Sequence, residues 1–142
     1  QICEIMENTC LLMENYFQEK HITLQKKYET GVPEAPVDPT QIKQVFLNIL
    51  MNAVESMPDG GKLDVNIESI DGSVKIYIVD AGKGMKQDVL QNIYDPFFTT
   101  KPSGTGVGLS VSLKIIEDHG GTIDAISEQG KGTTMLLTLP IK

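Results

Sequence analysis

An α+β two-layer sandwich, with a mostly antiparallel sheet beneath one layer of helices and a glycine-rich lid, is the fold class this sequence predicts. Three observations carry it. Apolar residues recur at i, i+3/i+4 in separate segments near 2–17 and 42–57, which is the helical period. Two pairs of short apolar runs are each split by a glycine turn, which is the mark of hairpins rather than of crossovers. Finally, the element order reads α-β-α-β-β-lid-α-β-β, an order that stacks helices on one face of a hairpin-built sheet.

In chain order, Ile2, Ile5, Met6, Thr9, Leu12, Met13, Tyr16 and Phe17 form the stripe of one amphipathic helix over 1–20. Residues 22–30 alternate well enough for a strand. After the loop GVPEAPVDP, Asp38-Pro39 opens a second helix, with an acceptor at the N-cap and Pro in the first helical position. It runs to about Met57, where Pro58-Asp59-Gly60-Gly61 stops it. Runs 62–70 and 73–80 form a hairpin about Asp71-Gly72, with Val74, Ile76 and Ile78 on one face. The stretch 81–108, rich in Gly, Thr and Pro, holds only a short helical piece near 86–92. A loop of that length in a compact domain marks a functional lid, here about 85–108. A helix returns at 107–119 and ends at His119-Gly120-Gly121. The hairpin 122–128 and 132–139, turning at Gln129-Gly130, completes a single domain over 1–142.

Composition excludes several classes. The 142 residues suffice for a packed core, and 40% hydrophobic with 22% charged residues is ordinary for a globular domain. A net charge of −7, with no Lys- or Arg-rich run, argues against a nucleic-acid partner. No run of 18 apolar residues is present and no signal peptide opens the chain, so no direct membrane contact and a cytoplasmic location are expected. The chain begins at Gln1 rather than Met, which suggests a piece of a longer protein whose anchor or sensor lies elsewhere. Cys3 and Cys10, two turns apart on one helix and without a ligand set, read as small buried hydrophobes in a reducing compartment.

Three features carry chemistry. On the second helix Gln44, Asn48, Asn52 and Glu55 form a polar seam, successive members only ~40–60° apart at ~100° per residue. Such a seam is either a solvated face or a ligand site. Asn costs several tenths of a kcal/mol of helix propensity, which a merely solvated face avoids. An amide oxygen, moreover, is a neutral, hard ligand suited to Mg²⁺. Next, DAGKGM at 80–85 follows a strand: Asp80 ends it, and Gly82 and Gly84 free the backbone for a close approach, or simply make a turn. Third, GTGVGLS at 104–110 opens a helix, and exposed N–H groups at a helix start cradle phosphate. No Gly-Lys-Ser/Thr follows, so this is not a P-loop. Lys101 adds a positive charge just upstream.

The ordered set of an i, i+4 Asn pair, DxGxG, GxGxG before a helix and Gly132-Thr133 resembles the GHKL ATPase superfamily of gyrases, heat-shock-type chaperones, histidine kinases and mismatch-repair ATPases. QVFLNILMNAVESM looks like its N box, DAGKGM and GTGVGLS its two glycine boxes, and GKGTT its closing Thr motif. DPFFTTK at 95–101 looks like the aromatic F box of sensor histidine kinases. The resemblance spans about residues 1–140 and implies the catalytic, ATP-binding domain of such a kinase.

By that resemblance the cofactors are ATP and Mg²⁺. Asp80 accepts from the adenine amine, with Thr133 supporting the base edge through water, and Gly82 and Gly84 shape the loop around it. Asn48 and Asn52 hold Mg²⁺ and the phosphates, while Lys101, Gly104, Thr105, Gly106, Val107, Gly108 and Leu109 form the phosphate-covering lid. The resemblance assigns catalysis to Asn48, Asn52 and Lys101. It implies two partners: a helical dimerisation and phosphoacceptor domain, and a downstream response regulator. Neither His21 nor His119 resembles the phosphoacceptor, and His119 reads as a residue meeting a helix C-terminus. The sequence departs from the pattern at Glu55, where many sensor kinases carry a basic residue. An anti-sigma-type serine kinase of the same superfamily, a dehydrogenase-kinase-like enzyme and a non-catalytic nucleotide-binding module are the rivals. A Glu base expected of gyrase-like ATPases is replaced by Asn48.

Overall fold

The computed structural model describes residues 1–93 and 108–141. Helix α3, Pro39–Glu55, begins as its sequence dictates. The Asp38 carboxylate accepts from the N–H groups of Thr40 at 2.9 Å and Gln41 at 3.3 Å, and Pro39 fills a position where no N–H is needed. Its apolar face, with Ile42, Val45, Phe46, Ile49, Leu50 and Ala53, is buried and forms the middle of the core. Removing the ring of Phe46, which has no exposure at all, would cost about 3–5 kcal/mol.

Among the described residues, five strands form one sheet in the order β1-β2-β3-β5-β4. They are β1 Ile22–Tyr28, β2 Gly61–Ile70, β3 Ser73–Asp80, β4 Thr122–Glu128 and β5 Gly132–Pro140. β1 lies parallel to β2, because α3 intervenes as a crossover, while the other neighbours are antiparallel. Asp71 and Gly72 both take positive φ (52° and 78°), the geometry of a two-residue turn that follows strand twist. Alternation sends Val74, Ile76 and Ile78 of β3 and Met135, Leu137 and Leu139 of β5 into the core beneath α1 (Ile2–Leu12), α3 and α5 (Gly108–Asp118). α4 is a single turn, Gln87–Leu90. The α+β class with one helical layer on a mixed, mostly antiparallel sheet is what the structure contains.

Two details differ from expectation. The first helix is broken at Met13, so α1 is followed by a separate α2, Glu14–Glu19. Buried Thr9 explains the break: its hydroxyl donates to the Ile5 carbonyl at 2.7 Å, a bond that bends helices. The N–H of Met13 is then split between Thr9 O and Cys10 O, each at 3.2 Å. The first strand also ends at Tyr28, two residues early, on an edge with few buried positions. Cys10 is buried, and burial pushes its thiol up to about 11; Cys3 is half-buried against the same core. No helix among the described residues is long and apolar enough to cross a membrane.

Candidate functional site

On the helix-covered side of the sheet, cross-strand rows are apolar until the last one. Ile76, Leu137 and Ile123 lie side by side, then Ile78, Met135 and Ala125. The next row is Asp80, Thr133 and Ser127, one residue each from β3, β5 and β4. A polar row at the sheet's end, still under the helices, is where sequence reasoning expects a site rather than packing.

Asp80 is 7% exposed. One of its oxygens accepts the N–H of Gly82 at 2.9 Å and of Thr133 at 3.2 Å. The Ser56 hydroxyl, at the C-cap of α3, donates to the Ala53 carbonyl at 2.7 Å and interacts favourably with this carboxylate. Burial pushes the Asp80 carboxyl above its ordinary range, and the bonds from Gly82, Ser56 and Thr133 pull against it. The result is a carboxylate with its acceptor strength conserved in a partly dry place.

The loop after Asp80 is fixed from both sides. Lys83 N–H donates to the Ser56 carbonyl at 3.3 Å, and Gly130 N–H donates to the Lys83 carbonyl at 2.6 Å. Met85 N–H donates to Ser127 Oγ at 2.8 Å. Gly84 has φ +66°, and a Cβ there would collide with the Glu128 backbone carbonyl, so only glycine lets this loop lie against the β4–β5 turn. DAGKGM is thus a turn held by backbone bonds from α3 and from the β4–β5 hairpin.

The polar seam of α3 is not a simple solvated face. Asn48 Nδ2 donates to the hydroxyl of fully buried Ser112 on α5 at 3.2 Å, while Gln44 Nε2 donates to Asn48 Oδ1 at 3.0 Å. Asn52, one turn on, is half-buried, and Gln44 and Glu55 are exposed. α3 and α5 run in opposite directions: Asp38 meets His119 and Asn48 meets Ser112. Continuing that run, Asn52 falls at the end of α5 that Gly108 opens. Leu109, in the first turn, packs against the core. Lys101, Gly104, Thr105, Gly106, Val107 and the DPFFTTK segment lie outside the described residues.

Ser56, Ser112 and Ser127 were not anticipated. Ser112 had a signal, being a hydroxyl set in the stripe Leu109, Leu113, Ile116 of α5. Ser127 follows from the register of the last hairpin, which sets it opposite Thr133.

Comparison with known proteins shows the family and the fold. Residues 37–142 match the model of the "Histidine kinase-, DNA gyrase B-, and HSP90-like ATPase" family. Sporulation kinase E of Bacillus subtilis (strain 168) is 44% identical over 142 residues, covering 99% of this chain and 19% of that protein. The catalytic domain of the histidine kinase ThkA, in a nucleotide-free form, superposes with a TM-score of 0.87 at 31% identity, covering 97% of this chain and 91% of that one. The same kinase has been solved in complex with the response regulator protein TrrA (TM-score 0.84, 28% identity, 98% and 40% covered). Full-length ShkA in complex with AMPPNP gives 0.89 at 26% identity, covering 99% of this chain and 30% of that one. The chain belongs to the histidine kinase-, gyrase B- and HSP90-like ATPase family, and within it to the catalytic domains of histidine kinases. It spans about a fifth of the length of the sporulation kinase it matches.

Proposed function

We propose that this chain binds Mg²⁺-ATP and presents the γ-phosphate to a histidine on a separate helical dimerisation domain, from which it passes to a response regulator. The observation that carries this reading is the acceptor row of buried Asp80 and half-buried Thr133 at the end of the sheet, beside the C-cap of α3. Adenine offers a donor, its N6 amine, beside the N7 acceptor, so a fixed carboxylate that only accepts is a complementary partner. The AMPPNP bound by ShkA and the regulator bound by ThkA, as related kinases, support the nucleotide and the partner.

The residues fit a divalent cation. Asn48 and Asn52 share one face of α3, where Asn48 Nδ2 is held by Ser112 at 3.2 Å and its oxygen accepts from Gln44 Nε2 at 3.0 Å. Neutral amide oxygens suit an ion that keeps several waters and takes its remaining ligands from phosphate. Mg²⁺ would supply charge neutralisation for the transferring phosphoryl group. The chain's own residues do the rest: Asp80 and Thr133 fix the base, α3 fixes the amides, and Lys101 with Gly104, Thr105, Gly106, Val107 and Gly108 covers the phosphates. Phosphoryl transfer depends mainly on positioning and charge, so a domain without its own base is sufficient.

The acceptor histidine belongs to the partner domain in this reading: His119 has both ring nitrogens engaged, and the sequence around His21 does not resemble the phosphoacceptor motif. Thermal unfolding tests the reading. At about 100 times its Kd, Mg²⁺-ATP should stabilise the chain by about 2.7 kcal/mol, a rise of several degrees. No rise with any adenine nucleotide would overturn nucleotide binding, and label from γ-³²P-ATP appearing on the chain alone would overturn the division of labour.

A further inference from the structure

We propose that Ser127 is a specificity-determining, positioning residue: it orients the Thr133 hydroxyl so that only lone pairs face the base. This rests on the reading that Asp80 and Thr133 bind adenine.

Ser127 Oγ lies 2.8 Å from Met85 N, 3.1 Å from the Gly132 carbonyl and 2.8 Å from Thr133 Oγ1. A hydroxyl has one proton and two lone pairs. Met85 can only donate and Gly132 O can only accept. One arrangement satisfies all three contacts: Ser127 donates to Gly132 O and accepts from both Met85 N–H and Thr133 Oγ1–H. In the reverse arrangement, with Ser127 donating to Thr133, the Gly132 carbonyl loses this donor in a buried position.

Thr133 therefore spends its proton on Ser127. What it has left for a ligand is acceptor capacity, and its backbone N–H is already committed to Asp80. Asp80 accepts as well, so the row offers no donor to the base edge. Adenine presents an amine there, whereas guanine presents the O6 acceptor, which would face acceptors on both sides. With Ser127 absent, the Thr133 hydroxyl can turn outward and donate, directly or through water, to O6.

Ser127→Ala tests this by measuring Kd for ATP and GTP in parallel. The ATP/GTP preference should narrow by about threefold to tenfold, the span of one neutral hydrogen bond. Loss of the Met85 anchor alone would weaken both nucleotides equally and leave the ratio intact. That outcome would overturn the proposal. Ser127→Thr, which keeps a hydroxyl, should restore the ratio, and in a Thr133→Val background Ser127→Ala should not change it. If the unaltered chain shows no ATP preference, the base-reading role of Asp80 and Thr133 fails first, and this inference with it.

Discussion

The imidazole of His119, at the end of α5, accepts the backbone N–H of Asp38, the N-cap of α3, at 3.1 Å. Its other nitrogen is 2.7 Å from the Ile115 carbonyl one turn back, so Nδ1 carries the proton and Nε2 the lone pair. The two helices that flank the candidate site are thus joined at one end by His119 and near the middle by Asn48 and Ser112.

His119→Leu keeps the volume and removes both bonds. We expect a loss of about 1–3 kcal/mol in denaturant unfolding, with part recovered in His119→Gln, whose amide can still accept from Asp38. A Leu variant as stable as the parent chain would show that the ring serves only to fill space.

Asn52→Ala should abolish the Mg²⁺ dependence of nucleotide binding with little change in fold. Asn52 lies off the apolar face, so truncation leaves no core cavity, and Ala gains a few tenths of a kcal/mol of helix propensity. Titrations with and without Mg²⁺ check this, beside a melt. Unaltered Mg²⁺-ATP affinity would remove the metal role from this helix.

Gly132 is the less forgiving position. Its φ is +93°, and a Cβ there would collide with the carbonyl of Asp80 itself. Backbone cannot swing aside as a side-chain end can. Gly132→Ala should therefore cost about 1–3 kcal/mol of stability and displace the row that holds Asp80, weakening ATP binding further than stability alone requires. A variant with normal affinity at temperatures well below its melt would contradict that coupling.

The fold was legible because its signals are local. Asp38-Pro39 and Asp71-Gly72 mark element ends through backbone chemistry, and the stripe from Ile42 to Ala53 marks burial through period. The candidate site was legible in part for a different reason: Asp80, Gly82, Gly84 and Thr133 belong to an ordered motif set. Ser127 and Ser112 were missed because their importance comes from register and helix pairing, which bring residues 85, 127 and 133, or 48 and 112, together. The break at Met13 was missed because a buried threonine in an apolar stripe reads as a helix former until its hydroxyl is seen to bond backward. Lys101 and residues 104–107 of the expected lid lie outside the described residues, so the motif alone carries them.

Asp80→Asn should separate stability from binding, moving them in opposite directions. Burial raises the Asp80 carboxyl above its ordinary range in spite of three opposing hydrogen bonds. The folded chain thus holds this proton more tightly than the unfolded chain does. Between the unfolded and folded titrations the folded state binds more protons, so this group's contribution to stability grows as pH falls and is lost as pH rises through the folded-state titration. At neutral pH the carboxylate is a burial cost that an amide does not carry, and an Asn oxygen can still accept from Gly82 and Thr133. The nucleotide-free Asn variant should therefore melt at or above the parent temperature at pH 7, with the difference shrinking toward pH 4. ATP affinity should fall about tenfold or more, since a charged acceptor is exchanged for a weaker neutral one. The same exchange should narrow the preference for ATP over GTP, because the amide can rotate its N–H toward O6. A variant that melts lower at pH 7 would mean that the charge stabilises the empty fold, and one with unchanged base preference would make Asp80 a turn residue only.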